Sequence, residues 1–273
     1  MPDPGPPWST GAARPAALVT GASSGIGREL ADLFAADGHE LVLVARREDR
    51  LRETAADLEA RHGARAHVVP ADLARRDAAE RIGDAVNRLG LTIDHLVNNA
   101  GFSVYGPFAE TDLDAERDLI AVNVTAVTSL AKRFLPAMAA RGSGRILNVA
   151  STAAFQPGPR MAVYYASKAY VLSFSVALSV EMEGTGVTVT ALCPGPSPTG
   201  FAERAKALRT PLFKTDWFST DARVVARAGY EGMRRGERIV VPGAIHKAHD
   251  LAVRLVPRSF AARIVARIQA PTA

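Results

Sequence analysis

Short apolar runs alternate along this chain with longer stretches whose apolar residues recur at helical spacing. Seven of the short runs read as strands, at 16–20, 40–45, 66–70, 93–98, 144–150, 187–192 and 238–241. Between them the periodicity predicts helices over roughly 25–37, 47–62, 74–89, 112–140, 162–184 and 220–235. Gly38, Gly63, Gly90, Gly142, Gly186 and Gly236 each stand just past one of these segments, where a left-handed cap favours glycine. Repeated βα units of this kind predict an α/β fold, a doubly wound parallel sheet of about seven strands in a single domain over 16–242.

Two stretches break the alternation. Residues 194–219 form a long strand-to-helix connection carrying Phe201, Leu208, Leu212, Phe213, Trp217 and Phe218, which reads as a substrate lid. Residues 243–273 run on past the last strand. Leu251, Leu255, Ile264 and Ile268 recur there at near-helical spacing, which predicts a helical C-terminal extension. Its basic residues suit an anionic membrane surface, but packing against the protein is the favoured reading. At the other end, residues 1–15 are rich in Pro and Gly and read as a disordered tail.

Composition narrows the function classes. The 33 basic and 28 acidic residues leave a net charge of +5, too mild and too scattered to imply a nucleic-acid partner. Cys193 is the single cysteine and cannot form an internal disulfide, and no Cys/His cluster has the spacing of a metal site. A reducing, cytoplasmic setting is therefore expected. No uninterrupted apolar run reaches the roughly 18 residues of a membrane span; the nearest, 170–182, contains Ser173, Ser175 and Ser179.

Candidate chemistry begins after the first strand, at Thr20-Gly21-Ala22-Ser23-Ser24-Gly25-Ile26-Gly27. A glycine turn opening a helix lets backbone approach a pyrophosphate, whose charge the helix N-terminus favours. Further on stand Asn98-Asn99-Ala100-Gly101, then Ser151, then Tyr164 and Lys168 four residues apart, then Pro194-Gly195. On a helix, positions i and i+4 share a face, so the Lys168 ammonium lies near the Tyr164 phenol and favours its ionised form. Tyr165, at i+3 from Lys168, is the adjacent competitor.

Together, in this order and at these distances, the motifs resemble those of the short-chain dehydrogenase/reductase family over roughly 16–242. The resemblance implies a Rossmann-type fold and an oxidoreductase interconverting a carbonyl and an alcohol. Tyr164 then serves as general acid/base, Lys168 tunes it and holds the nicotinamide ribose, and Ser151 bonds the substrate oxygen. Asn123 matches the asparagine that kinks the long helix and holds a water against Lys168. Asp72 and Leu73 resemble the adenine contact, Asn98 and Ala100, with Gly101, the residues that line the adenosine and support the central sheet, and Thr199 the carboxamide contact, with Pro194 and Gly195 beside it. A homodimer or homotetramer, associating through the helices at 112–140 and 162–184, is the family's usual assembly.

Dinucleotide choice turns on the second strand's end. Ala45 there leaves no carboxylate to bond a ribose 2′-OH, and Arg46 and Arg47 can pair with a 2′-phosphate, so NADP(H) is expected. Ser24 stands where many NADP-dependent relatives carry a second basic residue. Phe102, Val104, Tyr105 and 155–161 are the substrate-facing candidates and suit a hydrophobic ketone or aldehyde. Two other readings compete: a 3-oxoacyl-carrier-protein reductase, and a non-catalytic NADPH-binding sensor.

Overall fold

A computed structural model describes residues 14–196, 220–246, 252–253 and 256–270. The lid stretch from 197 to 219, with Thr199, and most of the N-terminal tail lie outside the described residues. Seven strands are present: β1 (Arg14–Thr20), β2 (Glu40–Ala45), β3 (Ala66–Pro70), β4 (Leu91–Asn98), β5 (Gly144–Val149), β6 (Val187–Leu192) and β7 (Ile239–Val240). They form one sheet in the order β3-β2-β1-β4-β5-β6-β7. Every pairing is parallel, so each connection must cross a face of the sheet.

The helices are α1 (Gly25–Ala36), α2 (Glu48–His62), α3 (Ala78–Arg88), α4 (Leu113–Ile120), α5 (Ala126–Arg141), α6 (Ala162–Glu181), α7 (Ala222–Arg234) and α8 (Arg258–Ile268). They cover both faces of the sheet, which is why its strands are apolar at successive positions and not only at alternate ones. Along β1, Ala17 and Val19 join a core with Leu30 and Phe34 of α1, Leu51 of α2 and Met233 of α7. Ala16 and Leu18 join the opposite core with Ile82 of α3 and Leu130 and Met138 of α5. Each such Leu, taken wholly from water, contributes about 1.5–3 kcal/mol.

All six glycines expected at helix ends adopt positive φ, from +64° at Gly63 and Gly90 to +79° at Gly38. At Gly186 a side chain is excluded twice over, since a Cβ would also lie 1.9 Å from the Gly142 carbonyl oxygen.

Two helices differ from the expectation. The third begins at Ala78 and not near 74, because Arg75 N–H bonds the Asp72 carbonyl and Ala78 N–H bonds that of Arg75, tighter turns that delay the helix. The long helix of 112–140 is divided by a π-helical turn, Ala121–Thr125, with buried Asn123 at its centre. Such a turn widens the helix by one residue and re-aims the side chain it carries.

α6 is long and apolar enough to cross a membrane by composition alone. Here Tyr164, Lys168, Val171 and Ser175 form its buried face, and the Ser175 hydroxyl accepts a hydrogen bond from Asn148 of β5. The strand order reverses direction between β1 and β4, and the crevice beyond their carboxyl ends is where parallel sheets of this kind hold ligands.

Candidate active site

At that end of the sheet lies a cavity of about 1380 Å³. Its first wall is the loop from β1 into α1. Gly21 and Gly25 have φ of +67° and +56°, which turn the chain sharply enough to present backbone to the cavity. Ser23, Ser24 and Ile26 line it as well. Ser24 is the N-cap residue of α1 but its side chain makes no capping bond, and the first turn holds no acidic residue. The helix N-terminus is thus left to favour an anion in the cavity.

Gly27 does not line the cavity; it permits close packing behind it. A Cβ at that position would meet Asn99 Nδ2 at 2.3 Å and the Gly21 carbonyl oxygen at 2.4 Å. Asn99 is a residue that sequence reasoning passed over. Its Nδ2 donates to the carbonyl of Thr20 at 2.9 Å and so holds the glycine loop against β4, and it lines the cavity. Asn98, expected to line the adenosine and support the central sheet, points into the sheet, where it donates to Asn148 Oδ1 at 2.8 Å. Strand alternation separates the two asparagines, and the pair's second member is the one at the cavity.

Arg46 and Arg47 lie at the cavity beside Ala45, at the start of α2. Asp72 and Leu73 line it too, and Asp72 Oδ1 accepts from the Ala74 N–H at 3.1 Å, so it also caps a turn. Ala100 and Gly101 continue the wall from β4, and Pro194 and Gly195 from β6.

The reactive side chains meet where β5 and α6 converge. Ser151 follows β5 in extended conformation, and its Oγ accepts from the Ala153 N–H at 3.1 Å. Tyr164 and Lys168 stand one turn apart on α6, both lining the cavity though only 8% and 5% exposed. Lys168 Nζ donates to the Val149 carbonyl at 2.8 Å and lies 5.9 Å from the centre of the Tyr164 ring.

Burial dominates the electrostatics. It pushes the Tyr164 phenol up to about 12, against a lowering by its hydrogen bond with Ser151. It draws the Lys168 ammonium down to about 8, opposed by the nearby Cys193 thiol. Withdrawal from water is the leading influence on the phenol, with Lys168 Nζ 5.9 Å from its ring centre. At neutral pH the phenol keeps its proton and is a donor.

Tyr165 is separated from this chemistry by its partner. Its hydroxyl accepts from Gln269 Nε2 at 2.7 Å, whereas Tyr164 pairs with Ser151. Asn123 lies behind the wall and does not line the cavity. Its Oδ1 accepts from the Phe102 N–H at 3.2 Å, and its Nδ2 donates to the Phe102 carbonyl at 3.0 Å and to Ser167 Oγ at 3.1 Å. It thereby ties the loop after β4 to α6. Gly101 leaves room beside both side chains, for a Cβ there would be 3.1 Å from Asn123 Oδ1 and 3.4 Å from Lys168 Nζ.

Beyond Tyr164 the walls turn apolar. Phe102 and Met161 line this part as expected, while Val104 and Tyr105 pack behind it with Leu119 and Tyr165. Much of the remainder is C-terminal: Val253, Val256, and Ile264, Val265, Ile268 and Gln269 on or just past α8. The described residues of the extension thus contribute to the apolar wall of the cavity. His246 also lines it, tight against Gly195, where a Cβ would lie 2.2 Å from the imidazole.

Comparison with known proteins agrees with this geometry. A family model described as short chain dehydrogenase matches residues 15–209. A Streptomyces violaceoruber protein named as a ketoacyl reductase of the granaticin polyketide synthase is 39% identical over 221 residues, 79% of this chain and 80% of its own length. The chain spans between 58% and 80% of the length of three curated relatives that are 36–39% identical to it. Among solved structures, a short-chain dehydrogenase from Sphingobium yanoikuyae in complex with NADPH is 31% identical with a TM-score of 0.77, covering 90% of this chain and 97% of that one. A short-chain dehydrogenase/reductase from Burkholderia phymatum in complex with NAD is 27% identical with a TM-score of 0.78, covering 96% and 98%. Sheet order, glycine loop, the Tyr164–Lys168 pair and sequence kinship converge on one conclusion: this chain is an oxidoreductase of the short-chain dehydrogenase family.

Proposed function

We propose that the protein is an NADP(H)-dependent oxidoreductase that interconverts a hydrophobic ketone or aldehyde and its alcohol, with Tyr164 as the general acid/base. One observation carries this reading: a buried, protonated phenol, hydrogen-bonded to Ser151 and one helical turn from Lys168, lines the same cavity as the glycine loop. The donor set fits a phosphorylated dinucleotide. An uncapped helix N-terminus suits its pyrophosphate, and Arg46 and Arg47 beside a strand end with no carboxylate suit a 2′-phosphate. When bound, NADPH supplies the hydride.

The chain's own groups supply the rest. Tyr164 donates its proton to the substrate oxygen as charge develops there, and Ser151 supports the phenol and that oxygen by hydrogen bonding. Lys168, fixed by Val149, stabilises the phenolate that Tyr164 becomes. Asn123 is a positioning residue, holding the Phe102 loop and α6 in register around Lys168. The apolar wall of Phe102, Met161, Ile264 and Val265 favours a hydrophobic substrate body.

A second reading, reduction of a 3-oxoacyl chain on a carrier protein, draws support from the granaticin relative's name. The apolar residues that α8 adds to the cavity wall favour a compact hydrophobic substrate over a carrier-borne chain. The deciding experiment follows absorbance of the reduced nicotinamide with a panel of bulky ketones, aldehydes and oxoacyl thioesters. Oxidation of NADPH by the bulky ketones is expected; turnover of thioesters alone transfers the assignment to the second reading.

A further inference from the structure

Residues 251–273 contain four arginines and no acidic residue. Three of the arginines, Arg258, Arg263 and Arg267, belong to α8. At the end of α7, by contrast, Arg234 and Arg235 pair with Asp37 and Glu237. The arginines of α8 have no ion-pair partner among the described residues. The helix is also apolar on two faces. Ala261 and Val265 are buried against the protein, with buried Gln269 one turn further on. Phe260, Ile264 and Ile268 recur at i, i+4 and i+8, so they form one stripe along the helix. That stripe is exposed, at 52%, 43% and 42%. Arg263 and Arg267, exposed as well, flank it on the side away from the buried face. Apolar side chains scattered singly over a surface need no explanation, but a continuous stripe beside unpaired cations is the pattern of a helix lying in a membrane interface.

We propose that α8 seats this protein on an anionic lipid bilayer, with Phe260, Ile264 and Ile268 entering the boundary between headgroups and acyl chains and Arg258, Arg263 and Arg267 pairing with lipid phosphates. The stems of the arginines lie along the apolar stripe while their charged ends reach the headgroups. A second copy of the chain fits this face less well, because a twofold contact through α8 sets the same arginines of both copies against each other. Ile264 and Ile268 also line the cavity, so seating α8 brings the cavity's apolar wall to the lipid boundary and lets a hydrophobic substrate enter from the bilayer. That consequence rests on the proposed function; the attachment itself does not.

The test sediments the full chain with vesicles of phosphatidylcholine alone and of phosphatidylcholine with about 30% phosphatidylglycerol, at about 0.15 M salt. The anionic vesicles are expected to bind at least about tenfold more tightly. Near such a surface each arginine multiplies the partition by about fivefold, so the double variant Arg263→Glu/Arg267→Glu is expected to weaken binding by at least about twenty-fivefold. Phe260→Ser, which removes apolar area from the stripe, is expected to weaken it by about tenfold. None of these three residues lines the cavity, so both variants are expected to keep the wild-type Tm and NADPH affinity, which verifies that they fold. Sedimentation is read without turnover, so a failure of ketone reduction leaves the result standing. Absence of binding to the anionic vesicles, equal binding to both kinds, or an affinity unmoved in both variants would overturn the proposal. Self-association in lipid-free buffer that Phe260→Ser abolishes would assign the stripe to a second copy and overturn it equally.

Discussion

Replacing Tyr164 with Phe is expected to lower kcat for ketone reduction by about a thousandfold, within the range that a positioned general acid supplies. The ring is retained, and with it the packing of a side chain only 8% exposed, so the fold and the NADPH dissociation constant are expected to stay within about twofold of wild type. What is lost is the proton and the hydrogen bond with Ser151. Steady-state kinetics alongside fluorescence titration of NADPH separate the two effects. A variant keeping a tenth or more of wild-type kcat would show that another group delivers the proton. The same assay carries a pH signature. Because Tyr164 is pushed up to about 12, it remains a donor through neutral pH, and reduction is expected to hold level there. It then declines as pH rises past about 8, where Lys168 gives up its proton and the forming phenolate loses its cation.

Substituting Asp for Arg46 is expected to reverse the dinucleotide preference. A hydrogen bond to a charged group contributes about 1.5–3 kcal/mol, roughly a tenfold to hundredfold effect on affinity. The new carboxylate adds repulsion of a 2′-phosphate and accepts from a 2′-OH. The ratio of kcat/KM for NADPH over NADH should therefore fall by at least about a hundredfold. Wild-type enzyme that uses NADH as well as NADPH, with the ratio unmoved in Arg46→Asp, would remove the argument from the second strand's end. Solved relatives include complexes with either dinucleotide, so the expected preference rests on Arg46 and Arg47 of this chain.

The elements and much of the site were legible in the sequence because both are encoded locally. Strands covered on two faces leave unbroken apolar runs, and β2, β3 and β6 have the bounds read from those runs. Tyr164 and Lys168 belong to one helix, so their spacing alone places them together. Legibility fails where a contact joins distant segments or where alternation must be resolved to a single residue. Asn98 and Asn99 differ by one position, yet one faces the sheet and the other the glycine loop. Gln269 reaches Tyr165 across 104 positions and Tyr105 across 164, and nothing in the pattern around 269 announces either partner. Resemblance implies only a kink at Asn123; that its side chain bonds Phe102 and Ser167 depends on contacts between distant segments.

The crystal structure of the complex with NADP⁺ would test the central claim most directly. The Tyr164 hydroxyl is expected to face the nicotinamide within hydrogen-bonding reach of a substrate oxygen, with Lys168 on the adjoining ribose and Arg46 at the 2′-phosphate. A dinucleotide seated with its nicotinamide away from α6, or a Tyr164 hydroxyl turned from the ring, would contradict it.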